Sequence, residues 1–268
     1  ATPSDPSVFS ATAGSTAVPG NYTVEVSKLA QSQSLVAAGQ ASSTAAIGNG
    51  TATTVTFDFG TIGGGTLTNG VYSGAAFTSN GNGTASITID STNNTLEGIR
   101  DAINSASMGV TATIVNDGSG TPYRLALTSG SSGASNSMKI TTSGGDGSIG
   151  SLLGYDPAGT QNLTQTIAAQ NADLTVNGIA ITSASNTVSE AIQGVTLTLT
   201  NTTAAPASLT VARDTTAINT AASGFVDAYN ALASQIKSRS AYATNGSAGG
   251  ALAGDGTLRV MQDQLRGI

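Results

Sequence analysis

Val195-Thr196-Leu197-Thr198-Leu199 puts an apolar side chain at every second position with a threonine between each pair. A β-strand turns successive side chains to opposite faces, so a period of two fits a sheet with one face buried and one wet. The same alternation runs from Thr53 to Phe59, with Val55, Phe57 and Phe59 on one side, and from Ala85 to Asp90, with Ile87 and Ile89. After Arg213 the period changes. Ile218, Ala222, Phe225, Tyr229, Leu232 and Ile236 follow at intervals of 4, 3, 4, 3 and 4, the seam of a long amphipathic helix. Leu258, Met261 and Leu265 continue the pattern at intervals of 3 and 4. These nine residues are the candidate helical packing or assembly seam. The fold class expected is mainly β with short helices, α+β, ending in a helical region.

Composition decides whether such a chain folds at all. Forty Thr, 33 Ser and 34 Gly make two-fifths of the 268 residues, which resembles a disordered chain. Disorder, however, goes with low hydrophobicity and high net charge. Here 38% of residues are hydrophobic, 9% are charged and the net charge is −6. A folded, threonine-rich β protein is the better reading.

Several local signals place the elements. Ser7 to Ala30 reads as an antiparallel hairpin turning at Pro19-Gly20-Asn21, and Ala37 to Gly50 reads as a linker. Asn94 or Thr95 caps a short helix with Leu96, Ile99 and Ile103 on one face. Strands Val110–Val115 and Tyr123–Thr128 follow, joined by Asn116-Asp117-Gly118-Ser119-Gly120. Asp173 to Ile181 is a strand pair turning at Asn177-Gly178, and Asn186 to Ile192 reads as a second short capped helix. Asn94-Thr95-Leu96 then matches Asn186-Thr187-Val188 as a weak internal repeat.

The chemical inventory is sparse. The chain has no Cys, His or Trp, which excludes thiol nucleophiles, Ser-His and Cys-His catalysis, zinc sites and disulfides. Gly145-Asp146-Gly147-Ser148-Ile149-Gly150 spells the dinucleotide fingerprint, but that motif needs a long following helix, and Gly154 and Pro157 interrupt it. Asp117-Gly118-Ser119-Gly120 and Gly144-Gly145-Asp146-Gly147 lack the spaced ligands of a calcium loop and read as turns. A Ser-Lys dyad could draw on Lys28, Lys139 or Lys237, and paired carboxylates could cleave glycans, yet no motif points to either. No catalytic residue, cofactor or metal is therefore expected. Nine bases against fifteen acids argue against nucleic acid, and no apolar run reaches the ~20 residues of a membrane span. The chain starts at Ala1 without a leader, so a core fragment of a longer protein is expected, with any export signal outside it.

Gly20-Asn21-Tyr22-Thr23-Val24-Glu25-Val26, followed by Leu29-Ala30-Gln31 and Gln33, resembles the N-terminal signature of the bacterial flagellar filament cap family, hook-associated protein 2. Phe225-Val226-Asp227-Ala228-Tyr229-Asn230-Ala231-Leu232 and Gly254-Asp255-Gly256-Thr257-Leu258-Arg259 resemble the start of its C-terminal helical region. The resemblance implies an extracellular structural protein at the flagellum tip that assists flagellin insertion. Its partners would be its own copies in a closed ring, a pentamer within a range of four to six, flagellin, and hook–filament junction proteins. Neither nucleic acid nor membrane belongs to that set. It also implies an inner β-rich head of residues 1–38 with 167–213, an inserted outer head of 39–166, and a truncated helical leg from 214 to 268. The missing terminal segments would form coiled coils. The competing reading is a surface adhesin for host glycans or mucin, in which cell adhesion rather than capping is the task.

Overall fold

The computed structural model describes residues 1–243 and 249–266, without the side chains of residues 217, 258, 259, 262, 265 and 266. It divides into two compact units, Ala1–Ala212 and Arg213–Ile268. The first unit opens with β1 (Thr2–Pro3), β2 (Phe9–Ala13), β3 (Gly20–Lys28) and β4 (Ser34–Ala37). Next come β5 (Thr53–Thr68), β6 (Val71–Ser79), β7 (Ala85–Ile89), α1 (Leu96–Ser105), β8 (Val110–Asn116) and β9 (Tyr123–Ser129). It continues with β10 (Ser137–Gly144), α2 (Ser148–Leu153), β11 (Leu163–Ile167), β12 (Ala172–Val176) and β13 (Ile179–Ser183). It closes with β14 (Thr187–Ile192), β15 (Val195–Leu199) and β16 (Ala207–Val211).

Two cores organise these strands. Sheets β1-β16-β3-β12-β13 and β14-β15-β2 bury Phe9, Val24, Val26, Leu174, Leu197 and Leu209. Sheets β11-β4-β9-β8 and β10-β5-β6, with β7 also on β5, bury Leu35, Phe57, Ile99, Leu125, Leu127 and Tyr155 together with α1 and α2. The chain passes from the first core to the second beyond Ala30 and returns before Ala172. At the crossing, Gln31 and Gln170 exchange backbone hydrogen bonds of 2.9 and 3.2 Å. The crossing therefore lies a few residues before position 38, because β4 pairs with β9 and β11 and carries Leu35 and Ala37 into the second core.

Helix α1 forms as its sequence dictates. The Thr95 hydroxyl accepts the Gly98 N–H at 3.0 Å, and Leu96, Ile99 and Ile103 are fully buried. The turn at Asn177-Gly178 has φ of 50° and 80°, the left-handed pair that a two-residue hairpin needs.

Three expectations are corrected. First, β2 and β3 are not a hairpin: β2 pairs with β15, whereas β3 lies between β16 and β12. Alternation fixes which side chains face the core and says nothing of the partner strand. Second, the segment from Ala37 to Gly50 is not a free linker. Ile47 packs on the second core, its N–H donates to the Asn94 carbonyl at 2.7 Å, and the Ser43 hydroxyl donates to Glu97 at 2.7 Å. Third, Thr187–Ile192 is a strand, so the repeat joins a helix to a strand. Val188 and Ile192 are both buried, and a spacing of four satisfies either period; a bulge after Ser189 keeps both on the core side.

No element was expected for residues 60–79, which form part of a long hairpin arm, β5–β6, that the glycine-rich sequence concealed. Its Asn69-Gly70 turn is fastened to β11, where the Gln165 N–H donates to the Gly70 carbonyl at 2.8 Å. A Cβ at Gly70 would lie 2.3 Å from Thr164 Cγ2, so only glycine fits. A polar chain links the arm to the second core. Gln33 Nε2 donates to Gln165 Oε1 at 2.6 Å, and Gln165 Nε2 donates to the Tyr72 hydroxyl at 3.0 Å. The Tyr155 hydroxyl is buried without a hydrogen-bond partner among the described residues, and burial pushes it above the ordinary phenol range.

Candidate functional site

The motifs that could have carried chemistry resolve into turns. Helix α2, after Gly147, has six residues. Asp146 already occupies its start, accepting the Ser148 N–H at 3.0 Å and the Asn49 N–H at 2.6 Å. Those two backbone donors hold its carboxyl below the usual range. An incoming phosphate would meet this charge where the fingerprint requires open N–H groups. Asp117 is held by the Arg124 guanidinium and by Ser119, which lower its pKa strongly. Lys28 pairs with Asp173 at 3.5 Å and Lys139 with Asp156 at 2.6 Å. Among the described residues, no group of three or more Asp and Glu is placed to hold a metal. No described helix is long and apolar enough to cross a membrane.

The seam belongs to the second unit, which contains α3 (Thr216–Ser240) and α4 (Gly256–Arg266). Asp214 begins α3 by accepting the Thr216 N–H at 2.8 Å, and Lys237 and Arg239 lie in its last turn. This arrangement complements the helix dipole. Beyond α3 the chain doubles back: the Gly250 N–H donates to the Ala241 carbonyl at 2.8 Å and the Leu252 N–H to the Arg239 carbonyl at 3.0 Å. A Cβ on Gly250 would fall 2.2 Å from the Arg239 carbonyl oxygen. Asp255 starts α4, accepting from the Thr257 N–H at 2.8 Å and its hydroxyl at 2.6 Å.

The seam residues differ sharply in their surroundings. Ile236 is buried at 6% exposure, and Tyr229 is half-buried. Ile218 is 64% exposed, Phe225 62%, Leu232 45% and Met261 52%, and Ala222 is exposed. The side chains of Leu258 and Leu265 lie outside the described residues. The structure thus places Ile218 to Ile236 along one face of one helix, and closes that face only near its C-terminal end. Val226 and Val260 are also exposed. They were missed because they stand one position off the seam, although the adjoining pair Phe225-Val226 signals a wider stripe. Burying one large apolar side chain contributes roughly 1.5–3 kcal/mol, a contribution that the exposed residues of this stripe do not make.

Comparison with known proteins adds a family. The family model described as "Flagellar hook-associated protein 2 N-terminus" matches residues 1–33, and that described as "Flagellar hook-associated protein 2 C-terminus" matches 169–268. A "Flagellin hook IN motif" model matches 76–131. The flagellar hook-associated protein 2 of Escherichia coli K12 is 37% identical over 278 residues, covering 100% of this chain and 54% of its own length. The Salmonella typhimurium protein of the same name is 40% identical over 187 residues, covering 67% of this chain and 39% of its own. The chain therefore spans about half the length of such relatives or less. Among solved structures, the E. coli flagellar cap protein FliD D1-D2-D3 domains match with a TM-score of 0.72 at 37% identity, over 98% of this chain and 66% of that one. FliD (HAP2) from Pseudomonas aeruginosa PAO1 matches with a TM-score of 0.64 at 31% identity, over 89% of this chain and 99% of that one.

Proposed function

The chain belongs to the flagellar hook-associated protein 2 family, and from that premise we propose that it is the core of a cap at the distal tip of a flagellar filament. There it works outside the cell as a structural protein, without catalysis. Copies close into a ring, a pentamer within a range of four to six. The ring assists flagellin subunits to insert and polymerise beneath it, and it meets the hook–filament junction proteins when a filament starts. The two cores of the first unit serve as the inner and outer head domains, and residues 214–268 begin the leg.

The observation that carries this reading is the match over 98% of the chain to the E. coli flagellar cap domains. The exposed stripe on α3 supports it, since a leg helix needs an apolar face to pack against other helical segments. A cap also demands no chemistry, in keeping with carboxylates engaged in turns and helix starts.

The test is deletion of the gene from its source organism, followed by immunogold electron microscopy of the complemented strain. Deletion is expected to leave cells with short or missing filaments and flagellin monomers in the medium, and gold is expected only at filament tips. Gold along filaments or over the cell body, or normal filaments after deletion, overturns the reading.

A further inference from the structure

The charges of the chain are unequally divided. Residues 1–212 hold eleven acids and four bases, whereas residues 213–268 hold four acids and five bases. Every base of the first unit is already paired: Lys28 with Asp173, Arg100 with Asp101, Arg124 with Asp117 and Lys139 with Asp156. Seven carboxylates of that unit have no basic partner among the described residues. Asp5, Asp58, Asp90, Glu97 and Asp146 accept hydrogen bonds from nearby hydroxyl or backbone donors. Among the described residues, Glu25 and Glu190 have neither.

Glu190 is the more unusual of the two. It sits in the bulge of β14, an edge strand, at φ +67°, where residues with a side chain are uncommon. It also borders a groove of about 740 Å³. Ser189, Thr196 and Thr12 line that groove as one cross-strand row, with Thr16 and Gln193 beside them. Among the described residues, no basic side chain lines it. A groove with one carboxylate, several hydroxyls and no cation favours a positively charged occupant, and a concave surface of one sign concentrates that attraction.

This chain itself offers such an occupant. The last turn of α3 carries Lys237 and Arg239, both exposed, and among the described residues no acid lies within ion-pair distance of either. We propose that copies of this chain associate head to tail, the Glu190 groove of one copy receiving the basic last turn of α3 of the next. Such a contact joins two different surfaces, which allows a ring to close. It also avoids setting one acidic head against another. The proposal rests on the ring reading above and names the surfaces that would make the ring.

The test uses the full-length protein, with assembly followed by analytical ultracentrifugation and circular dichroism as the check on folding. Glu190→Gly removes the charge and tolerates the positive φ, so it folds at least as well as the parent. It is expected to weaken association on the order of tenfold, within the range of close interfacial charge pairs. Glu190→Lys is expected to weaken it further, and Lys237→Glu with Arg239→Glu in the same chain to restore it. Raising the salt concentration is expected to weaken the parent more than Glu190→Gly. If both Glu190 variants assemble like the parent, the proposal is overturned and the ring reading stands. If the parent stays monomeric at every concentration, the ring reading falls and takes the proposal with it.

Discussion

Helices α1 and α3 carry the same kind of signal and meet different fates. Leu96, Ile99 and Ile103 of α1 are fully buried against the strands of the second core. On α3, Ile218, Phe225 and Leu232 follow equally good helical spacing and stay exposed, with Ile236 alone fully covered. A short amphipathic helix with its sheet nearby completes a core. Helix α3, with 25 residues and the same pattern, keeps most of that face exposed. Periodicity therefore reports that a face will be buried, and leaves open whether the partner lies within the chain.

That contrast can be broken by stability measurements. Ile99→Ala removes a fully buried branch and is expected to destabilise the first unit by about 2–5 kcal/mol in denaturant unfolding. Phe225→Ala is expected to change the stability of the isolated chain by no more than about 0.5 kcal/mol, because its ring already faces water. Equal costs for the two would erase the distinction between the helices.

Acid sharpens the contrast by a smaller effect. α1 is capped by the Thr95 hydroxyl, which does not titrate in acid, whereas α3 and α4 begin at Asp214 and Asp255. Hydrogen bonds from the Thr216 backbone and side chain lower the Asp214 pKa, and those from the Thr257 side chain and backbone lower that of Asp255. A carboxyl depressed in the folded state stabilises it above the ordinary value of 3.8, and that contribution is lost as pH falls through the lowered value. Between pH 5 and pH ~2, beyond the intrinsic pH dependence of exchange, amide protection is expected to fall in the first turns of α3 and α4. The Gly98 amide of α1 is expected to keep its protection, and a matching loss there would show the cap chemistry to be irrelevant.

The legible parts of the fold were those set by neighbours in sequence. Thr95 with Leu96, Ile99 and Ile103 announced α1, and Asn177-Gly178 announced its hairpin, since caps and tight turns are local. Pairing was not local. Phe9 to Ala13 reaches across to Val195–Leu199, and the alternation of either strand is silent about that choice. The arm at residues 60–79 was hidden because Gly63, Gly64 and Gly65 weaken any periodic signal. For the seam, spacing identified the face, but it did not distinguish Ile236, which is buried, from Ile218, Phe225 and Leu232, which stay exposed.

The paired crossing at Gln31 and Gln170 has an architectural consequence. Two antiparallel backbones that exchange hydrogen bonds of 2.9 and 3.2 Å leave the remaining framework as a nearly closed loop. Everything between them enters and leaves through one narrow neck, so its size places little demand on the rest. The framework can serve as a socket: a larger, smaller or unrelated module whose own ends lie one strand spacing apart could be spliced in at that neck, at the loss of only a few side contacts such as those of Ser132 with Ala184 and of Ala134 with Asn171.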